Sequence, residues 1–356
     1  PAWPKSAAAR GPGRGGPPPA AMVLKTALTE MLGIQHPVIQ GGMQFVGYAE
    51  MASAVSNAGG LGILTGLTQP TPEDLRGEIR RCRTMTDRPF GVNLTILPAL
   101  IPADYDAYVR VVCEEQVAML EVAGGSPKKY IAQLRGAGVR VLHKSATIRH
   151  ALKAQEAGVD LIEIVGYEAS IAGGQPGDEV GSWVILPKAV SVLEVPVIAS
   201  GASATGRQLA AALAMGAHGI TMATRFLATV EAPIRQEIKD HLASPAVDER
   251  STTIVLGSLN NATRVFKNKV AAEMRRLEAG AADGGVDFSR LAPLASGQRA
   301  RKVWRETGDW DDGMWSCGQA AGLIDDIPTC RDLILRIVGE AERQLSAGAS
   351  CILSKL

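Results

Sequence analysis

The chain has 356 residues, 46% of them apolar, and a formal net charge of only +1. That length and composition allow a large buried core and exclude compositional disorder, while the balanced charge lacks the basic footprint that nucleic-acid binding needs. No apolar run approaches the roughly 20 residues of a bilayer-crossing helix.

Residues 1–22 carry three basic and no acidic side chains among Pro, Gly and Ala, which predicts a disordered tail. A transit peptide is the functional alternative, but the prolines break its amphipathic pattern. Between 36 and 226, short Val/Ile/Leu runs alternate with helical segments. This is the rhythm of βαβ units. The runs begin at 37 (PVIQGG), 59 (GGLGILTG), 90 (FGVNLTI), 117 (VAMLEVAG), 139 (VRVLHKS), 160 (DLIEIVG), 195 (VPVIASG) and 218 (HGITMATRF). Eight such strands, with no G-x-G-x-x-G turn after the first, predict a (β/α)8 TIM barrel rather than an open doubly wound sheet. Thr71 with Pro72, Thr147 with Gly158, and Thr205 with Gly216 mark helix starts and stops between strands.

From 227 to 312 the chain reads as a helical insertion or cap without a convincing strand, and the basic cluster RVFKNK at 264–269 reads as a solvated helix face. The barrel then resumes over 313–345, with an amphipathic last helix, and 346–356 forms a C-terminal tail. It ends in Ser354, Lys355 and Leu356. That tripeptide is an import address, so the expected location is the peroxisome in a eukaryote and the cytoplasm otherwise. The five cysteines lack C-x-x-C spacing and the five histidines are not paired, so reduced thiols and no metal site are expected.

In such barrels the chemistry sits at the carboxyl ends of the strands, with phosphate on the loops after strands seven and eight. Gly201, Ala202 and Ala223 would let backbone N–H groups approach a phosphate, with the Ser200 and Thr224 hydroxyls as further donors. Tight turns alone would also select small residues there. Gly41 and Gly42 clear the mouth at strand one, Met43 offers a flat polarizable surface, and Asn93 and Lys144 end strands three and five. A buried cation there would stabilise an anionic isoalloxazine ring.

These segments, with HKS at 143, IASGA at 198, MATRF at 222, SGQR at 296 and WSCGQ at 315, resemble the nitronate monooxygenase (2-nitropropane dioxygenase-like) family of FMN-dependent barrels. The resemblance spans about residues 28–340 and is nearest the NADH:quinone reductase branch. It implies FMN lined by Gly41, Gly42 and Met43, bonded at its polar edge by Asn93 and Lys144, bordered by Gly173 and Gly174 near Glu168, and held at its phosphate by Gly201, Ala202, Met222, Ala223 and Thr224. The family usually has Gly at 202 and often at 223; both swaps are small.

A larger departure lies in GYEASIAGGQPG at 166–177, where the family's histidine is replaced by Gln175. Gln cannot take a proton. Drawing a proton from a neutral nitroalkane needs a base, but hydride transfer needs only alignment. The expected enzyme is therefore an FMN oxidoreductase using NAD(P)H and a quinone-like or other small acceptor, with Gln175, Lys144 and Ser316 on the reactive side. Alternatives are a nitronate monooxygenase using O2 and a non-catalytic FMN-binding protein. A flavin-dependent enoyl reductase is disfavoured, since no basic cluster suits an acidic carrier protein. Cys317 is expected to pack rather than react.

Overall fold

Each barrel strand begins where an apolar run follows a turn, and most helices between them open on a side-chain cap. The computed structural model describes residues 24–96, 103–171, 179–280 and 287–353. The eight parallel strands are β1 (Val38–Gln40), β2 (Gly62–Thr65), β3 (Phe90–Ile96), β4 (Met119–Gly124), β5 (Arg140–Ser145), β6 (Leu161–Val165), β7 (Val197–Ser200) and β8 (Ile220–Met222). Each pairs with its sequence neighbours, β8 pairs with β1, and a parallel bridge between Ile39 and Leu61 closes the ring. The expected (β/α)8 barrel is the fold.

The helices are α1 (Ala27–Leu32), α2 (Ala49–Asn57), α3 (Pro72–Arg83), α4 (Tyr105–Glu114), α5 (Ile131–Gly136), α6 (Ile148–Ala157), α7 (Ser182–Val192) and α8 (Gly206–Ala214). Thr71 accepts the Asp74 N–H and Asp74 accepts the Thr71 N–H, a reciprocal cap that uses two otherwise orphaned donors. Thr147 caps α6, and Gly158 ends it at φ +95°, a left-handed angle costly for any residue with a Cβ. Thr205 and Gln208 repeat the reciprocal cap on α8.

After β8 come α9 (Thr224–Leu227), α10 (Gln236–Leu242), α11 (Lys269–Ala279), α12 (Phe288–Leu291), α13 (Gly297–Lys302) and α14 (Cys330–Leu353). The stretch 227–312, expected to be helical, also contains an antiparallel ribbon of β9 (Thr252–Val255) and β10 (Thr263–Phe266). RVFKNK is therefore not a helix face. Its Arg264 is a buried strand residue, because Thr263 and Val265 pair across the ribbon with Val255 and Thr253. Phe266 stacks on Trp315 with ring centres 4.5 Å apart, which ties the ribbon to the returning chain. The last helix packs along α8 and α2 and continues to Leu353, through most of the stretch expected as tail. The tripeptide 354–356 and residues 1–22 lie outside the described residues. Among the described residues no helix is long and apolar enough to cross a membrane.

Alternation along the strands layers the lumen. Ile39, Leu61, Ile63, Met119, Leu142, Leu161 and Ile198 form one buried apolar cluster with Leu28 and Leu32 of α1, which closes the amino end. Two residues farther along β4, β5 and β6, on the same face as Met119, Leu142 and Leu161, stand Glu121, Lys144 and Glu163. The lumen changes from oil to charge at that step.

Candidate active site

Above the apolar layer, the Lys144 ammonium lies 2.8 Å from Glu121 Oε1 and 3.2 Å from Glu163 Oε1. Both carboxylates are 0% exposed and Lys144 is 19% exposed. Glu121 uses its other oxygen to accept the Gly42 N–H at 3.1 Å, and Glu163 accepts the Thr221 hydroxyl at 3.0 Å. Burial opposes the charge of Lys144, but the two carboxylates outweigh it and hold the ammonium's affinity for its proton above the ordinary value. Burial pushes the Glu163 carboxyl up, against the pull of Lys144 and with the repulsion of Glu121.

The floor over this cluster is made of backbone. Gly41 donates its N–H to the Met222 carbonyl at 2.9 Å, and a Cβ built on Gly41 would sit 3.7 Å from Lys144 Nζ. Gly42 lies flat on Asn93, itself buried. Met43 is pinned by Thr65, whose hydroxyl accepts the Met43 N–H at 2.8 Å and donates to its carbonyl at 2.9 Å. So Gly41, Gly42, Met43, Asn93 and Lys144 come together at the mouth, and Met222, expected at the phosphate, meets Gly41 through its carbonyl.

The opposite rim is built from turns. Gly201 has φ +116° and Ala202 φ +55°, a left-handed angle that strains a residue with a Cβ. The N–H groups of Ala204 and Thr205 go to Gln208 Oε1, and the Gly206 N–H goes to Glu340 of α14 at 2.8 Å. Ser200 faces Glu163 from β7. Thr224 accepts the Gly318 N–H at 3.0 Å, and Ala223 is exposed.

Glu168 caps α7: its two oxygens accept the Ser182 N–H at 3.0 and 2.9 Å and one takes the Ser182 hydroxyl. Its carbonyl also accepts the Gln319 N–H. Ser316 is exposed and bridges to Val265 at the ribbon edge. Cys317 is buried, which pushes its thiol up to about 12 and keeps it neutral. Gly173, Gly174 and Gln175 lie outside the described residues. His143 faces away from Lys144, with Nδ1 2.8 Å from the Ser145 hydroxyl, and burial lowers its pKa. His241 stacks on Trp310 at 3.7 Å, and His218 accepts the Ala27 N–H through Nδ1. Among the described residues no His, Cys, Asp and Glu cluster could hold a metal ion.

Glu121, Glu163 and Arg264 escaped the sequence reading. Arg264 donates through Nε and Nη2 to the Tyr167 carbonyl at 3.2 and 3.0 Å and through Nη1 to Thr252, clamping the loop after β6 from the ribbon side. For the glutamates the signal was a lone acidic residue at an inward position of an apolar strand.

The family model described as nitronate monooxygenase matches residues 25–107 and 100–340. A Rhodococcus jostii (strain RHA1) protein named (3aS,4S,5R,7aS)-5-hydroxy-7a-methyl-1-oxo-octahydro-1H-indene-4-carboxyl-CoA dehydrogenase is 34% identical over 91% of this chain and 98% of its own. A nitronate monooxygenase of Paraburkholderia phytofirmans is 28% identical over 90% of this chain and 95% of its own. The solved structure of FabK from Thermotoga maritima superposes with a TM-score of 0.82 at 33% identity, covering 92% of this chain and 99% of that one.

Proposed function

As the chain belongs to the nitronate monooxygenase family of oxidoreductases, we propose that it is an FMN-dependent enzyme that takes electrons from NAD(P)H and passes them to a quinone-like or other small acceptor. The observation that carries this reading is the side-chain-free floor of Gly41 and Gly42 laid over one buried cation, Lys144, with Asn93 beside it. A flat ring with a polar edge suits that surface, and the glycines are needed to keep it in place, since a Cβ on Gly42 would collide with Asn93 and one on Gly41 with Thr221.

FMN, when bound, supplies the electron chemistry, and the protein supplies position and charge. Asn93 can give and accept a hydrogen bond at the ring edge. Lys144 is kept protonated by Glu121 and Glu163, so it presents a positive charge to the mouth at rest. Because Gln208 and Glu340 already take the first N–H groups of α8, the phosphate falls to the Gly201–Ser203 turn, with the Ser200 hydroxyl beside it and the Ala223 and Thr224 rim opposite. Glu168 holds α7 in place through Ser182. Hydride transfer needs alignment and no side-chain base, which suits a site where His143 faces away from Lys144, His218 meets Ala27 and His241 stacks on Trp310.

A second reading takes a CoA thioester as the organic substrate. The carboxyl-CoA dehydrogenase name of the Rhodococcus relative favours it. A third, oxidation of alkyl nitronates with O2, is favoured by the name of the Paraburkholderia relative.

The test is a visible spectrum of the purified protein, taken as isolated and again after anaerobic addition of NADH, NADPH, an alkyl nitronate or an acyl-CoA, each alone. Flavin bands bleached by a nicotinamide support the main reading. Bands that bleach only with nitronate or acyl-CoA move the assignment to the corresponding alternative. A protein that takes up no FMN on reconstitution defeats all three.

A further inference from the structure

We propose that Glu121, Lys144 and Glu163 form a buried proton store under the floor of the site, with Glu163 as its neutral, proton-carrying member near pH 7. Two carboxylates, each 0% exposed, share a single ammonium. If both were ionised, the lumen would hold an uncompensated negative charge out of water, which costs several kcal/mol even after relaxation.

The two acids are not equivalent. Glu121 is the nearer to Lys144, at 2.8 Å, and its other oxygen accepts the Gly42 N–H. A backbone N–H can only donate, so Glu121 is held as an acceptor. Glu163 stands farther off, at 3.2 Å, and its second oxygen meets the Thr221 hydroxyl. A hydroxyl serves equally well as donor to a carboxylate or acceptor from an acid. The groups facing Glu163 are Glu121 from β4, Lys144 from β5, the Ser200 hydroxyl from β7 and the Thr221 hydroxyl from β8, while β1 contributes Gly41 and no side chain. Burial and the nearby Glu121 both favour the protonated form of Glu163, in agreement with that arrangement.

The position of the store suggests its use. Of the three side chains only Lys144 has exposed surface, 19% against 0% for each carboxylate, so a group entering the mouth meets the ammonium first. When that group takes a proton from Nζ, the Glu163 carboxyl proton passes to Nζ across the 3.2 Å contact. Lys144 ends protonated, Glu163 ends ionised, and the cluster passes from neutral to one negative charge. This use rests on the site proposed above; the stored proton does not.

The experiment uses the full-length protein without added FMN. Infrared spectra at neutral pH should show the carbonyl stretch of a protonated carboxylic acid, shifted in D2O. That band should vanish in both E163Q and E121Q, because the one carboxylate left beside Lys144 ionises. A wild-type spectrum without the band overturns the store.

Thermal melts against pH then assign the proton. A raised folded-state pKa gives stability that is complete below the unfolded carboxyl pKa and is lost as pH rises through the folded one. E163Q copies the neutral acid without having to take up its proton, so it should match the wild type only in acid, below the unfolded carboxyl pKa, and melt above it at pH 7 and beyond. E121Q should melt lower throughout. The reverse ranking overturns the assignment to Glu163. FMN retention is scored separately. A protein with the band but no FMN sinks the site and leaves the store; one with FMN but no band does the opposite.

Discussion

A Cβ placed on Gly42 would stand 2.6 Å from Asn93 Cβ and 2.8 Å from Asn93 Oδ1, so the glycine and the asparagine occupy one thickness of the barrel mouth between them. Gly42→Ala must push Asn93 out of its buried place or lift the floor. Overpacking of this kind costs about 1–3 kcal/mol. The variant should melt lower and retain less FMN per chain, read from the ratio of flavin to protein absorbance. A variant that keeps full flavin content would show that nothing rests on this floor.

Lys144→Met removes the one cation that two buried glutamates share. Breaking a buried ion pair from one side costs about 3–5 kcal/mol. Chemical denaturation should show a loss of that size at neutral pH.

Between α3 and α4, Glu115 gathers Arg76, Arg80 and Arg83 at 3.1, 2.8 and 2.9 Å. Burial pushes its carboxyl up, but Arg80 and Arg76 outweigh that and hold it below the ordinary value. A depressed folded pKa gives stability present above the unfolded value and lost as pH falls through the folded one. Glu115→Gln should therefore cost about 1.5–3 kcal/mol at pH 7 and flatten the acid limb of the stability curve. Equal acid sensitivity in variant and wild type would refute the clamp.

Arg264→Met strips the Tyr167 carbonyl of two donors and should cost about 1–3 kcal/mol, with faster amide exchange over 167–171. Arg264→Lys should not restore protection, because an ammonium cannot reproduce the guanidinium's fork.

The barrel was legible because parallel strands buried on both faces read as unbroken apolar runs, and because Thr71, Thr147 and Thr205 announce their helices as caps. The mouth was legible as far as small or unusual residues stood at strand ends, which is how Gly41, Gly42, Asn93 and Lys144 were singled out as candidates. Glu121 and Glu163 were not, since one acid in an apolar strand means little until the neighbouring strands are in register; only then do both converge on Lys144. The ribbon failed for a related reason. Its strands are four residues each, too short for alternation to outweigh the helical pattern beginning at Lys269, and pairing with β9 decided the conformation of β10.

Among the described residues, the apolar plug of Leu28, Leu32, Ile63, Met119 and Leu161 fills the amino end of the barrel, so under the proposed function a ring over Lys144 would be approached from the opposite, carboxyl end. Anything that donates electrons to a ring lying over Lys144 and anything that withdraws them must use the same exposed face. Two reactants that share one doorway have to alternate, the first product leaving before the second reactant arrives. Under the proposed function, turnover would then follow a substituted-enzyme scheme, with parallel double-reciprocal plots and inhibition by an excess of either reactant.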